Sequence, residues 1–345
     1  MKDAPKVSVL LPVYRNPDTV RRAMRSILQQ SLRDLELIVV ENGSDPETKS
    51  AIRSLTDPRI RLLSRDEPGI VPAMNHGLEH ARADYLARMD ADDFAHPMRL
   101  ELQAAALDRS SRLDLVSSLV RFRSRLPSGG FARYVDWQNG LTRHRDIVLG
   151  QFIESPLVHP SVMFRTRLAR ELGGYRDGDF PEDYDLWLRM LEQGAIMRKL
   201  PRTLMVWRDH TGRLTRNDER YYERAFHALK APFIARFLKQ RLNTGRKLII
   251  WGAGKLSRRF APMLLEHGLE YAGWIDIDPR KIGRELKGRE IFPPEALRAG
   301  GALFANTGPR PFVVSYVAGG EARGLISARL SEYGYRNGRD YLMAA

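Results

Sequence analysis

One short segment organises the sequence, and it reads Tyr85-Leu86-Ala87-Arg88-Met89-Asp90-Ala91-Asp92-Asp93. An apolar run of this kind is typical of a buried strand, and here it ends abruptly in acid. Because side chains alternate along an extended backbone, we expect Asp90 and Asp92 on one side and Asp93 on the other. Two carboxylates on one side suit a magnesium or manganese ion. The alternative interpretation is a solvated turn in which Asp93 caps the next helix.

Composition narrows the class of protein. With 345 residues, of which 43% are hydrophobic, the chain is long enough for one large or two medium globular domains. It contains no cysteine, which excludes disulfides, thiolate metal sites and cysteine nucleophiles. The opening residues lack the apolar core of a signal peptide, and no segment holds about 18 uninterrupted apolar residues. We therefore predict a cytoplasmic protein.

The formal net charge of +14 favours anionic partners. Nucleic acid, nucleotide diphosphates and the inner face of a membrane all qualify. The excess of lysine and arginine is spread along the chain and does not form a basic tail, which argues against nucleic acid. Nucleotide diphosphates, or peripheral contact with an inner membrane, remain as the expected partners.

The front of the chain alternates strand patterns with helix patterns. Strands are predicted over residues 7–13, 35–40, 60–64 and 85–89, and helices from Asn16-Pro17 onward and over 69–82. This alternation indicates an α/β fold with a mainly parallel, doubly wound sheet. Ligands bind outside the carboxyl ends of the strands in such sheets, so the ends at Val13, Glu41 and Asp90 should meet in one crevice.

The middle of the chain is less regular. A helix is predicted over residues 97–107 and a strand over 114–120, whereas residues 121–140 show no clear period. A second group of acids, Glu182, Asp183 and Asp185, crowds the first turn of a predicted helix, where the helix dipole favours negative charge. One interpretation is that these acids cap the helix, and the other is that they take part in chemistry.

Residues 7 to about 215 resemble the family-two inverting glycosyltransferases of the GT-A fold. The resemblance rests on the opening strand and on Glu41-Asn42-Gly43-Ser44-Asp45, Asn75-His76-Gly77, Asp90-Ala91-Asp92 and Glu182-Asp183. It implies a doubly wound GT-A sheet (the nucleotide-diphospho-sugar transferase fold), a nucleotide-diphosphate sugar donor with UDP-sugars as the default, and a Mn²⁺ or Mg²⁺ ion. Two departures concern the base contacts: Glu41 stands where aspartate is more usual, and Pro46 follows Asp45 where a helix usually begins.

The resemblance also implies a role for each motif. Donor contacts are expected from Pro12, Val13, Tyr14, Glu41, Asp66, Asn75, Asp90, Arg208 and Arg213. Asp92, with Asp90 and His210, would bind the metal that bridges the diphosphate. The Glu182-Asp183 pair matches the acceptor-activating site, and Asp183 is the expected general base. The loop after Trp207, which carries Arg208 and His210, contains no strong helix signal, so we expect a mobile lid there.

The remainder of the chain predicts two further regions. We expect domain limits at residues 1–215, 216–245 and 246–345, with the middle region a basic, amphipathic helical connector. Two interpretations of the connector remain, namely packing against its own domains and lying on an anionic membrane.

Residues 246–345 predict a small Rossmann-like α/β domain. Gly252, Gly254 and the strand-end Asp276 form an incomplete dinucleotide fingerprint, with Ser257 at the third glycine position. This region resembles the N-terminal domain of sugar acetyltransferases of the PglD type. The interpretation is either nucleotide or sugar-nucleotide binding or an interface that has lost its ligand.

The whole pattern predicts a metal-assisted inverting glycosyltransferase that transfers a sugar to a hydroxyl of a glycan or lipid-linked acceptor in surface polysaccharide biosynthesis. A sugar nucleotidyltransferase needs a glycine-rich loop after the first strand, and the segment Tyr14-Arg15-Asn16-Pro17 has no glycine. The other alternative is a nucleotide-sensing scaffold that acts through the C-terminal domain.

Overall fold

The computed structural model describes residues 4–243, 245–304 and 308–345. The signal-peptide expectation depends in part on Met1–Asp3, which lie outside the described residues. The chain divides into two compact units, Met1–Val148 with Ser155–Tyr221 and Leu149–Glu154 with Tyr222–Ala345. The sequence predicted a separate connector over residues 216–245, whereas this division places residues from Tyr222 onward in the second unit.

The first unit is built on an eight-stranded sheet. Its strands are β1 (Val7–Val13), β2 (Leu35–Asn42), β3 (Ile60–Arg65), β4 (Tyr85–Arg88), β5 (Phe94–Ala95), β6 (Leu113–Ser124), β7 (Met163–Arg165) and β8 (Ile196–Asp209). They run in the order β3-β2-β1-β4-β7-β6-β8-β5. The first four are parallel, but β7 is antiparallel to both neighbours and β5 is antiparallel to β8. The fold is α/β as predicted, and the sheet is mixed beyond β4.

Helices alternate with these strands. Up to residue 221 they are α1 (Val20–Leu28), α2 (Pro46–Arg53), α3 (Ile70–His80), α4 (Arg99–Asp108), α5 (Gly129–Gly140), α6 (His144–Gly150), α7 (Thr166–Glu171), α8 (Glu182–Glu192) and α9 (Leu214–Asn217), with short 3₁₀ helices at His159–Ser161 and Glu219–Tyr221. Side chains of β1 alternate between two cores: Val9 and Leu11 pack in a core with Met24, whereas Leu10 packs in one with Met74. Helices on both faces bury β1 completely.

Three helices bear on the sequence analysis. Pro46 does not delay a helix but begins α2, because Asp45 caps it by accepting from the Thr48 N–H at 2.7 Å and proline fits the first helical position. The helix expected at Asn16-Pro17 begins later, at Val20. Residues 129–140 form α5 although their sequence lacks helical periodicity, since tertiary packing can override weak local preference.

The second unit has its own six-stranded sheet. Its strands are β9 (Leu248–Trp251), β10 (Gly273–Ile275), β11 (Glu285–Leu286), β12 (Arg289–Phe292), β13 (Phe312–Ser315) and β14 (Tyr341–Met343), in the order β11-β12-β10-β9-β13-β14. Its helices are α10 (Glu223–Leu242), α11 (Lys255–Phe260), α12 (Met263–Glu266) and α13 (Gly320–Glu332), with a 3₁₀ helix at Pro294–Leu297. All strand pairs are parallel except β11 with β12. Within the described residues, no helix combines the length and apolarity needed to cross a bilayer.

Candidate active site

The carboxyl ends of the parallel strands meet at one edge of the first sheet. Val13 at the end of β1 pairs with Glu41 on β2. Just beyond β4, the backbone N–H of Met89 donates to the carbonyl of Leu10 on β1 at 3.0 Å. The Asp90–Asp93 segment therefore leaves the sheet beside the ends of β1 and β2. This strand order confirms the predicted convergence of the strand ends.

Asp90, Asp92 and Asp93 form one carboxylate cluster, in which an oxygen from each lies within 4.8 Å of the others. The expectation that Asp93 points away and caps the next helix is wrong. Asp93 is fully buried, and α4 begins only at Arg99. The reason is that β4 ends before the cluster and the chain turns there, so the alternation of an extended strand no longer applies.

Asp93 uses one of its two oxygens and leaves the other without a partner. Its Oδ1 accepts a hydrogen bond from the backbone N–H of Arg208 at 2.8 Å. Its Oδ2 is buried and has no hydrogen-bond partner among the described residues. Burial raises the pKa of the Asp93 carboxyl well above its usual range, and the charge of Asp92 raises it further. Such a buried acceptor is a natural ligand for a cation.

Basic side chains surround the cluster. Arg88 Nη2 lies 2.6 Å from Asp90 Oδ1, and His210 Nε2 lies 2.8 Å from Asp92 Oδ2. The guanidinium of Arg213 lies 3.7 Å from Asp90 and 3.6 Å from Asp92. Burial by itself would raise the pKa of Asp90, but Arg88 and Arg213 overcome that effect and lower it below its ordinary value. Asp90 is therefore held in its charged form.

The last residues of β8 fix the side chain of Arg213 in place. Its guanidinium stacks over the ring of Trp207 with 4.3 Å to the ring centre and donates to the carbonyl of Arg208. The side chain of Arg208 leaves Nη1 buried without a hydrogen-bond partner among the described residues. The expected loop over residues 208–213 contains no helix, since α9 begins at Leu214, but Arg208 and Asp209 belong to β8. The guanidinium of Arg213 thus lies beside the carboxylates, whereas Arg208 reaches Asp93 through its backbone N–H.

The second acidic group lies at the start of α8. Glu182 is buried, and its Oε2 accepts a hydrogen bond from the Tyr221 hydroxyl at 2.7 Å. Asp183 is partly exposed, and its Oδ1 accepts from the N–H of Tyr184 at 2.7 Å. Asp185 serves the fold instead, because it pairs with Arg189 at 2.7 Å. The three acids therefore have separate roles.

Electrostatic effects link the acid pair to the carboxylate cluster. Burial raises the pKa of Asp183 well above its ordinary value, and the charges of Glu182 and Asp90 raise it further. Burial also raises the pKa of Glu182, although the Tyr221 hydrogen bond opposes this rise. The charge of Asp90 acts on Asp183, so the two acidic groups predicted from separate motifs interact electrostatically. A carboxylate with a raised pKa is a candidate for proton transfer.

Several residues that the sequence analysis did not single out support this region. Arg88 is buried at the end of β4 and holds Asp90, and Tyr221 holds Glu182. Tyr175 is buried and its hydroxyl lies 3.0 Å from His159 Nε2. The signal that could have identified Arg88 is an arginine within an otherwise apolar strand, since a buried charge requires a partner.

The remaining donor candidates are distributed as follows. Pro12 and Val13 are buried at the end of β1, whereas the neighbouring Tyr14 is 45% exposed. Glu41 is buried and ion-paired with Lys49 at 3.0 Å, and Asp66 is exposed.

Asn75 contacts the backbone of Tyr175. Its Nδ2 donates to the Tyr175 carbonyl and its Oδ1 accepts from the Tyr175 N–H, each at 2.8 Å. The Asn75 amide therefore positions the segment that carries the Tyr175 hydroxyl.

In the second unit, the residues of the predicted nucleotide site make contacts within their own chain. Gly252 has a φ of +100°, and a Cβ there would lie 2.6 Å from Val317. Close packing therefore explains this glycine, and a Cβ on Gly254 would meet nothing within 4 Å. Asp276 accepts hydrogen bonds from the N–H of Ala253 at 2.9 Å and from Lys281 Nζ at 3.0 Å.

The carboxylate cluster fits a divalent cation. Three carboxylates and one imidazole supply hard oxygen and borderline nitrogen donors, and the free Oδ2 of Asp93 provides an acceptor that the protein itself does not satisfy. The cluster is thus a candidate metal site.

In this α/β unit, an Asp-x-Asp motif lies at the carboxyl ends of parallel strands, and an acid pair lies on a later helix. These two features define a glycosyltransferase of the GT-A fold. The crystal structure of S. aureus TarS 1-349 in complex with UDP-GlcNAc has a similar fold. Its TM-score is 0.50 at 16% sequence identity, and the match covers 69% of this chain and 72% of that chain. This similarity concerns the fold.

Sequence comparison then identifies the family. The sequence pattern of Glycosyl transferase family 2 matches residues 8–173. The chain is 30% identical over 243 residues to the O-antigen biosynthesis glycosyltransferase WbnJ of Escherichia coli, covering 69% of this chain and 91% of that relative. It is 26% identical over 277 residues to an uncharacterized glycosyltransferase of Haemophilus influenzae, covering 76% and 96%. The chain belongs to family 2 of the glycosyltransferases.

Proposed function

We propose that this glycosyltransferase transfers a sugar with inversion, using Asp183 as the general base. The observation that carries the proposal is the position of Asp183, a partly exposed carboxylate that interacts electrostatically with Asp90 of the cluster. The sequence resemblance assigns the donor to the cluster and the acceptor to the acid pair. An inverting transfer needs these two groups around one reaction centre.

The chemistry follows from this arrangement. Asp183 accepts the proton of the acceptor hydroxyl while that oxygen attacks the anomeric carbon from the side opposite the diphosphate. The bond between the anomeric carbon and the diphosphate oxygen breaks, and the electron pair leaves with the diphosphate. Arg213 lies beside Asp90 and Asp92, which supports a role for its guanidinium in stabilising the charge on the departing phosphates, and Arg208 is the second candidate cation for this role. Glu182 is held by Tyr221, which leaves Asp183 as the acid pair's available base.

Asp92 and Asp90, with Asp93 and His210, would hold a Mn²⁺ or Mg²⁺ ion, which supplies charge stabilisation on the diphosphate when bound. Asp93 joins this set because one of its oxygens lies within 4.8 Å of those of Asp90 and Asp92, and its Oδ2 has no hydrogen-bond partner among the described residues. The donor is a nucleotide-diphosphate sugar, with UDP-sugars as the default. The acceptor is a hydroxyl of a glycan or of a lipid-linked glycan in surface polysaccharide biosynthesis, which agrees with the O-antigen name of one relative.

Localisation follows from the acceptor. We propose a cytoplasmic enzyme that reaches lipid-linked acceptors at the inner face of a membrane, and the net charge of +14 supports contact with anionic lipid. The scaffold alternative receives less support, because Asp276, the expected ribose contact, already bonds to Ala253 and Lys281. The resemblance of the second unit to the PglD type stays a prediction.

The test uses the full-length protein and a panel of nucleotide sugars with Mn²⁺ or Mg²⁺. We expect one donor to protect against thermal unfolding in a metal-dependent way and to support transfer with inverted anomeric configuration, measured by NMR. Asp183→Asn should lower kcat by about 10²–10⁴-fold and keep the thermal protection, because donor contacts remain. Asp179→Asn is the control, since Asp179 is exposed near the same helix. Unchanged turnover in the Asp183 variant would refute the base, and metal-independent binding of every donor would refute the site.

A further inference from the structure

A second group of metal-ligating side chains lies on α3. His76, Glu79 and His80 occupy positions i, i+3 and i+4, which share one face of a helix. One potential ligand atom from each lies within 4.8 Å of the other two. Among the described residues, this group and the Asp90–Asp93 cluster are the sets with such geometry.

The hydrogen bonding of His80 prepares it for a metal. Its Nδ1 lies 2.8 Å from the backbone carbonyl of His76. Because a carbonyl oxygen only accepts, Nδ1 must carry the hydrogen, and the lone pair is then on Nε2. A ring nitrogen that donates to a carbonyl fixes the tautomer and orientation of a ligating histidine. The His76 ring centre lies 4.5 Å from that of His80, so the two imidazoles lie side by side on successive turns of the same helix face.

The donor set differs from that of the carboxylate cluster. Two imidazole nitrogens and one carboxylate oxygen suit zinc, copper or nickel, whereas Mg²⁺ prefers oxygen ligands. Three protein ligands leave an open coordination position, which water or a group from another molecule can fill. Glu79 is exposed, so the third ligand is accessible from solvent.

The group also lies towards the opposite end of the sheet from the cluster. The carbonyl of His80 accepts a hydrogen bond from Arg61 Nη1 at 2.7 Å. Arg61 is the second residue of β3, and the same nitrogen bonds Glu36 at 2.8 Å near the start of β2. The helix end that carries His80 therefore lies at the amino ends of these strands, whereas Asp90 follows the carboxyl end of β4.

We propose that His76, Glu79 and His80 form a second metal site, which binds a transition-metal ion such as Zn²⁺ and is separate from the Asp90–Asp93 cluster. A site confined to one helix binds the folded chain preferentially, because the three ligands come together only when α3 forms. The bound ion should therefore stabilise the first unit as its concentration rises.

The experiment is a Zn²⁺ titration of the full-length protein, read with a chromogenic chelator in excess Mg²⁺ to occupy the carboxylates. We expect one Zn²⁺ per chain in the wild type and in the Asp92→Asn variant. His76→Ala and His80→Ala should each weaken binding by at least the about 10–100-fold seen for lost supporting partners. His267→Ala in the second unit is the matched control and should bind as the wild type does.

Zn²⁺ binding that survives both histidine variants, or that disappears in Asp92→Asn, would overturn the proposal. A measurement without substitutions guards against misfolded variants. Cu²⁺ added to the unmodified protein in excess Mg²⁺ should broaden the NMR signals of the His76 and His80 rings first, because paramagnetic broadening falls steeply with distance. Broadening that begins at His210 or His267 and spares α3 would contradict the site.

Discussion

Both units end an inner strand in aspartate, but they treat the charge differently. In the first unit, the Asp90–Asp93 cluster crowds three carboxylates together, and Asp93 Oδ2 has no hydrogen-bond partner among the described residues. In the second unit, Asp276 accepts from the Ala253 N–H, from Lys281 Nζ and from a backbone N–H two residues further on, each within 3.0 Å. Asp93 therefore keeps one oxygen without a hydrogen-bond partner among the described residues, whereas both oxygens of Asp276 accept hydrogen bonds.

This difference explains why the same sequence feature has two meanings. Burial raises the pKa of Asp93 well above its usual value. Burial would also raise the pKa of Asp276, but the hydrogen bonds to Asp278 and Lys281 overcome it and lower the pKa. A strand-end aspartate becomes a binding site when the fold leaves part of its charge uncompensated. Where the fold compensates the charge, the aspartate stabilises a turn.

The largest expected effect is a difference in sugar-transfer rate between variants of Asp92 and of Asp276. Asp92→Asn should lower metal-dependent transfer by about 10²–10³-fold, because it removes a group aimed at the metal and diphosphate. Asp276→Asn should leave transfer close to the wild-type rate. Initial rates at saturating metal and donor measure both. Loss of transfer in the Asp276 variant, with intact Asp92, would show that the second unit takes part in the reaction.

The order of the two variants should reverse when the free energy of unfolding is measured instead of activity. Asp276→Asn should lower the free energy of unfolding of the second unit by about 1–3 kcal/mol, because the amide cannot replace the charged acceptor for Lys281. Asp92→Asn should cost less, since it relieves repulsion with Asp90 and Asp93. Denaturant unfolding followed by circular dichroism compares the two variants. Equal losses would indicate that both clusters are structural.

Tyr221 tests how the first unit positions its acid pair. Tyr221→Phe should lower kcat by about tenfold, which corresponds to about 1.4 kcal/mol for a hydrogen bond to a charged group. Without the hydroxyl, the pKa of Glu182 rises, Glu182 gains a proton, and the pKa of Asp183 falls. The acid limb of the kcat profile should therefore move to lower pH, while KM for the donor stays constant.

The control for this experiment is the neighbouring residue. Tyr222 is 51% exposed, and Tyr222→Phe should leave both the rate and the pH profile unchanged. If Tyr221→Phe also leaves the profile unchanged, Tyr221 has no positioning role.

The smallest effect, when taken over a single pH unit, concerns one buried lysine in each unit. Burial lowers the pKa of Lys199 to about 7 and that of Lys230 to about 8. The unfolded chain keeps these protons up to about pH 10.4, so the free energy of unfolding should rise with pH above the folded pKa values. The slope is at most about 1.36 kcal/mol per pH unit for each lysine. Lys199→Met should remove its part of the slope, and Lys247→Met, an exposed lysine, should not.

Local features were predictable from the sequence. The strands β1 to β4 and the acid pair on α8 follow from short-range periodicity and motif spacing, and the structure places them close to the expected bounds. Asp93 was misassigned because its orientation depends on where β4 ends. Helix α5 was missed because no periodic signal exists over residues 129–140. The mixed pairing of β7 was not predictable from pattern either, since strand direction depends on the connections.

The sequence by itself determined the family, the α/β class and the order of the acidic motifs, because these are properties of neighbouring residues. Tertiary structure alone decided that the Tyr221 hydroxyl donates to Glu182, that Arg213 lies beside Asp90, and that Asp276 accepts from the Ala253 N–H. Such pairings join residues that are distant along the chain, so they exist only once packing has fixed the distances between them. Whether an acid is free to bind is therefore settled by the fold.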